Sequence, residues 1–252
     1  MQYGSQITLL VGLETEFITG ADLDNLDALL ARAGDRIEYI VGSVHHVNAI
    51  PIDFDIATYH KSLHSLGGKT EQHAQELFLS SYFDAQYDLI RRFHPEIIGH
   101  IDLCRLYNPD LRLSSYPLAW QKLERNILHA IDYGALFEVN AAAFRKKWAT
   151  AYPGIDVVEV KSHFTTALIS ILNYPQLVLK HGGRFALSDD SHGPNAVGLN
   201  YGPLAEYLKA AGVSDLWYLQ NSDTQNAAGR HNRAVRLDGK WLDSQFWRNK
   251  LT

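Results

Sequence analysis

Phe185 to Pro194 reads FALSDDSHGP, and the way this stretch ends decides how the rest of the chain is read. Phe185-Ala186-Leu187 is a short apolar run, a buried strand too brief to show a period of its own. Two aspartates, a serine and a histidine follow together, and Gly193-Pro194 then breaks the run into a turn or a new helix. Asp190 and His192 are two residues apart, so on extended backbone they point the same way. A carboxylate and an imidazole on one face bind zinc, manganese or iron. The same residues also make an ordinary polar loop with a helix cap. The other strands of the chain decide between the two.

Working outward, five more apolar runs have the same character. They are Ile7–Leu13 (ITLLVGL), Ile37–Val44 (IEYIVGSV), Ile97–Ile101 (IIGHI), Leu136–Asn140 (LFEVN) and Asp215–Leu219. Between them lie mostly helical connections. Leu23, Leu26, Leu29 and Leu30 set a helical spacing over Asp22–Ala33, with Gly34 as its stop. Ile56–Leu66 reads as a short helix, and Thr70 with Glu71 opens a long one to Phe93, closed by His94-Pro95. Pro117–Tyr133 and Gly202–Ala211 are helical, and Ser162 caps a helix from His163 to about Lys180. Val47–Asp55 and Asp102–Ser115 read as loops, and Ala141–Val160 is mixed. Strands alternating with helices predict an α/β fold on a parallel sheet, open or closed into a barrel. No repeat or linker interrupts the chain, so residues 1–252 are expected to form one domain. Residues 221–252 are expected to be a C-terminal extension docked by Trp241 and Trp247.

Composition narrows the function. The chain has 252 residues, 46% of them hydrophobic and 20% charged, the balance of a globular protein. Its formal net charge of -5 carries no basic footprint for nucleic acid, and no apolar run approaches the length of a membrane helix. The single cysteine, Cys104, excludes an internal disulfide and suits a reducing compartment, so a cytoplasmic location is expected.

The polar residues collect at one kind of place. Glu14 follows the first strand, His45 the second, and His100 ends the third. Asn140 ends the fourth, and Asp190 with His192 end the fifth. Parallel βα architectures bring the C-terminal ends of their strands to one face, where active sites sit. Three imidazoles and two carboxylates from four strand ends make a ligand set for divalent zinc, manganese or iron.

In order along the chain, Gly12-Leu13-Glu14, Gly42-Ser43-Val44-His45, Gly99-His100-Ile101-Asp102, Glu138-Val139-Asn140 and Ser188-Asp189-Asp190-Ser191-His192 resemble the PHP (polymerase and histidinol phosphatase) superfamily. Within it, the chain is similar to the histidinol-phosphatase branch, from about residue 7 to about residue 220. The resemblance implies a distorted TIM-like (β/α)7 barrel with a metal cluster at the C-terminal ends of its strands. It also implies hydrolysis of L-histidinol phosphate, a small phosphate monoester, to L-histidinol and phosphate in histidine biosynthesis. By the same resemblance, Glu14, His45, His100, Asp190 and His192 are expected metal ligands, and Asp190 and His192 belong to the catalytic set. Arg145 matches a basic residue after the fourth strand that meets the substrate phosphate, a charge-assisted pairing. In this chain it is followed by Lys146 and Lys147, which also reads as a solvated face. Asn140, Glu16 and His46 are placed to line the site. Glu16 and Asp102 are both available to receive the amine or imidazole of the substrate, and the sequence does not choose between them; Glu16 and His46 read better as ordinary turn and cap chemistry.

The chain departs from the family pattern at its start. Members begin with a strand ending in His-x-His, then a strand ending in a Thr-Glu-His-like triplet, and here the first histidine is His45. The expectation is therefore a barrel incomplete at its N-terminus, holding one or two ions. Two alternatives follow: a truncated or catalytically impaired relative, or a PHP phosphoesterase with another substrate.

Overall fold

A computed structural model describes residues 8–157 and 177–248. The beginning of the first expected strand, at Ile7, and most of the helix expected after Ser162 lie outside these residues. Val178 to Gly182, where that helix was expected to end, are turns.

The core is a parallel sheet of five strands among the described residues. They are β1 (Gly12–Glu14), β2 (Tyr39–Gly42), β5 (Ile97–Ile98), β6 (Leu136–Asn140) and β7 (Arg184–Ser188), adjacent in that order. Leu136 of β6 sits opposite Ile97 of β5 and Arg184 of β7, so β6 is paired on both edges. All five of its residues are buried, which fits the apolar LFEVN run. Glu138 and Asn140 are the polar exceptions, and both are hydrogen-bonded. The α/β alternation expected from the sequence is thus present.

Helices pack on the sheet, but β1 leaves Gly12 and Glu14 exposed and Leu9 and Val11 before it are exposed too, unlike the buried strand expected there. In α1 (Gly20–Ala33), Leu23 and Leu26 face inward, and the Asp22 carboxylate accepts from the Thr19 amide at 2.6 Å, an N-terminal cap. The hairpin of β3 (His46–Val47) and β4 (Ile50–Pro51) replaces the loop expected over Val47–Asp55. Its turn, Asn48-Ala49, takes left-handed backbone at both residues, the form of a tight hairpin. Helix α2 (Ile56–His64) is capped by Asp55, whose side chain accepts from Thr58 N at 2.6 Å. The 23-residue α3 (Glu71–Phe93) buries Phe78, Leu79, Tyr82, Phe83, Leu89 and Ile90 and ends at His94 in a left-handed conformation. It packs on α4 (Pro117–Asp132), and Arg125 and Lys122 of α4 pair with Asp84. Pro117 opens α4 in the first turn, where its missing amide costs nothing.

The sixth strand departs from expectation. β8 (Trp217–Asn221) follows α6 (Tyr201–Ala210) but does not join the parallel sheet. It pairs antiparallel with β9 (Asn232–Arg236) in a two-stranded ribbon. Glu96 explains the docking. This buried carboxylate accepts from Asn226 and Arg230, each at 2.6 Å, and from Asn232 at 3.2 Å. Its other oxygen accepts the Ile40 amide at 2.9 Å. Asn232 also donates to the Glu38 carbonyl. Glu38 and Glu96 precede β2 and β5, so the ribbon sits at the N-terminal end of the sheet. Beyond it, Trp241 and Trp247 are both buried.

Candidate metal centre

The opposite end of the sheet is built by strand ends locked to one another. Thr15, just past β1, accepts the Ser43 amide at 2.9 Å and donates its hydroxyl to the Ser43 carbonyl at 3.1 Å. That reciprocal pair fixes the ends of β1 and β2, and with them Glu14 and His45. Gly99 N donates to Gly42 O at 3.1 Å, which sets β5 beside β2. A Cβ on Gly99 would lie 2.3 Å from Ser43 Oγ, so only glycine permits this approach. His100 comes next, its amide donating to the Glu138 carboxylate at 2.7 Å.

Glu14, His45 and His100 converge. Their ligand atoms lie within 4.8 Å of one another. His100 Nε2 is 3.1 Å from Glu14 Oε1 and 3.2 Å from His45 Nε2, and His45 Nε2 is 3.7 Å from Glu14 Oε1. The rings meet edge to face. On its far side, His45 Nδ1 lies 3.2 Å from the Glu16 carboxylate. A proton held there leaves Nε2 as the free ligand atom, the carboxylate–histidine arrangement that orients metal-binding imidazoles. Glu16 also meets His46 Nδ1 at 3.1 Å and accepts the Phe17 amide at 2.8 Å.

Electrostatics favour positive charge here. Burial pushes the Glu14 carboxyl up, but the hydrogen bond and charge of His100, with Ser43 and His45, outweigh it and bring the pKa to about 2. Burial likewise raises Glu16, and its contacts with His45, His46 and the Phe17 amide bring it to about 2. Burial pushes His100 down, yet the Glu14 hydrogen bond and the charges of Glu138, Glu14 and Asp190 lift it to about 9. Two imidazoles and a carboxylate with their ligand atoms this close together fit a metal ion.

The remaining expected residues are placed unevenly. Asp190 lies near enough for its charge to act on His100, but it is outside the three-residue group. His192 is also outside that group, its side chain 84% exposed and its Nδ1 3.0 Å from the Asp190 carbonyl. Arg145, in α5 (Ala142–Arg145), donates to the carbonyls of Asp189 and Asp190 at 2.7 and 2.9 Å, so it braces the β7 loop. Asn140 is fully buried; its amide donates to Glu138 at 3.1 Å and accepts from Ala142 N at 2.7 Å.

Asp102 has no exposed surface. Its carboxylate holds Arg105 and the Gly154 amide, and Arg105 reaches on to Asp156. It belongs to a buried charge network, engaged through Oδ2. Sequence reading overlooked Glu138 as a brace of His100. Its signal was a carboxylate inside an otherwise apolar strand, which needs buried donors to be stable.

The PHP domain family model matches residues 2–142 of the chain. A Schizosaccharomyces pombe protein named probable histidinol-phosphatase is 38% identical over 242 residues, covering 95% of this chain and 71% of its own length. The Saccharomyces cerevisiae histidinol-phosphatase is 29% identical over 264 residues, covering 95% and 72%. In fold, the chain is similar to a crystal structure of a Listeria monocytogenes protein named as a histidinol phosphatase. The TM-score is 0.54 at 22% identity, over 79% of this chain and 70% of that one.

Proposed function

The chain belongs to the PHP-domain family, and from that premise we propose that it is a histidinol-phosphatase, a metal-dependent hydrolase of a small phosphate monoester. Its reaction is L-histidinol phosphate plus water to L-histidinol and phosphate, a step of histidine biosynthesis. The observation that carries this reading is the convergence of Glu14, His45 and His100 at the C-terminal ends of parallel strands, joined to the 38% identity with the fission-yeast relative.

In this reading Glu14, His45 and His100 hold a divalent cation of zinc, manganese or iron. Such a cation supplies Lewis acidity toward the phosphoryl group and makes water more acidic. Glu16 keeps His45 in the tautomer that presents Nε2, and Glu138 holds the backbone of His100. Asp190 extends the negative field and is the next carboxylate available as a ligand. A ligand role for His192 requires its ring to leave the Asp190 carbonyl. Arg145 secures the Asp189-Asp190 backbone and retains further N–H groups for the substrate phosphate. Residues 1–252 act as one catalytic unit, with residues 221–252 a docked extension; the buried Trp241 and Trp247 support this. Among the described residues no helix is long and apolar enough to cross a membrane.

The test is direct. Purified protein supplied with manganese or zinc releases phosphate from L-histidinol phosphate faster than from p-nitrophenyl phosphate, and chelation abolishes both reactions. The reverse order of substrates moves the enzyme to another monoester. The double variant Asp190→Ala/His192→Ala is expected to retain less metal, and unchanged metal content removes both from the ligand set.

A further inference from the structure

Histidinol phosphate is an anion at one end and a cation at the other, so the proposed substrate needs an acidic group apart from the metal ligands. Most carboxylates around the site are already engaged. Glu14 belongs to the ligand group, and Glu16 holds two imidazoles. Glu138 is buried on the His100 amide, and Asp102 is buried on Arg105. The charge of Asp190 acts on His100.

Asp53 is different. It follows Ile52, whose amide donates to the carbonyl of the ligand His45 at 2.9 Å, continuing the His46–Pro51 pairing of β3 and β4. Its own carbonyl is tied to the Tyr107 hydroxyl at 3.4 Å, so its backbone is anchored at both sides. Asp53 is half-buried as a residue, and its side chain has no hydrogen bond or ion pair among the described residues. Its charge acts on Lys146 together with that of Asp190. The two carboxylates also act together on Tyr152, whose ring centroid is 6.3 Å from that of His100. The Ile52–His45 backbone bond thus sets Asp53 one residue from a direct contact with the segment that carries this ligand. Beside Asp53, the Phe54 ring is 79% exposed, an apolar surface at the rim.

We infer that Asp53 is a specificity-determining residue, receiving the cationic amino or imidazole end of the substrate while the phosphate lies toward Glu14, His45 and His100. The inference rests on the phosphatase reading above. An ammonium on a half-buried carboxylate is a charge-assisted contact, and losing one changes affinity about tenfold or more.

The experiment uses the full chain, metal-loaded, as wild type, Asp53→Asn and Asp53→Glu. Asp53→Asn keeps the shape and removes the charge. The expected result is a rise of about tenfold in KM for histidinol phosphate, with kcat changed much less. The ratio of kcat/KM for histidinol phosphate to that for p-nitrophenyl phosphate, which has no cation, falls by the same factor. Asp53→Glu restores part of the ratio. Calorimetric titration with L-histidinol shows the same weakening without turnover. An unchanged ratio, or equal losses on both substrates, overturns the inference. A wild-type chain that fails to hydrolyse histidinol phosphate overturns the phosphatase reading instead. In that case, L-histidinol binding that is absent or indifferent to Asp53→Asn overturns this inference as well.

Discussion

Glu16 lies outside the group formed by Glu14, His45 and His100, yet it decides how His45 enters that group. Glu16→Gln keeps the volume and removes the charge at His45 Nδ1. Metal affinity is expected to fall about 10–100-fold, measured by competition with a chelator, since partners of ligating imidazoles have effects of that size. Arg105 is the opposite case, a charge with no part in the ligand group. It is 3% exposed and bound to Asp102 and Asp156. Arg105→Met strands two buried carboxylates and is expected to lose about 3–5 kcal/mol of stability, read from the urea midpoint. At the surface, the Thr58 amide bond holds the Asp55 carboxyl below its ordinary value of 3.8. A depressed carboxyl stabilises the fold above its unfolded pKa, and that contribution is lost as pH falls through the folded value. Asp55→Ala is therefore expected to destabilise at neutral pH and to be nearly silent in strong acid. A midpoint difference that stays constant with pH would contradict this.

At the level of elements, the site depends on how closely β2 and β5 approach. Gly99→Ala drives a methyl into Ser43 Oγ and Val41, 2.9 Å away, so the strands must part or tilt. His100 shifts with them, and the expected outcome is a folded protein with weakened metal binding, separable by comparing circular dichroism with metal content. Why the sequence marked His100 and left the role of Glu16 open follows from the same geometry. A residue at the end of a parallel strand is carried to the C-terminal face by the topology itself, so position alone marked Glu14, His45 and His100. The direction of Glu16 depends on which imidazoles approach it, and those come from a segment 29 residues away. The role of Asp102 was left open for a related reason. Its neighbour at i+3 is Arg105, but its burial depends on Gly154 and Asp156, far along the chain.

For the whole molecule, the two ends of the sheet have separate supports. The metal-centre end is held by Thr15–Ser43, Glu138–His100 and the Arg105 network, and the other end by Glu96 and the ribbon. The parallel core was readable because buried strands and helical spacing repeat along the chain. The ribbon was not, since Trp217–Asn221 has the composition of a strand whichever partner it takes, and its partner is chosen by Arg230, Asn226 and Asn232 on Glu96. The Ile40 amide is bonded to the Glu96 carboxylate and not to a neighbouring strand's carbonyl. A sheet amide normally exchanges its proton only when strands separate. This one is shielded by a side chain whose orientation depends on Arg230, so its deuterium uptake works as a gauge of one pole alone. Labelling at Ile40 would rise when the ribbon lifts, while the amides of Ser43 and His100 keep their protons, and the two poles could be timed independently in a single experiment.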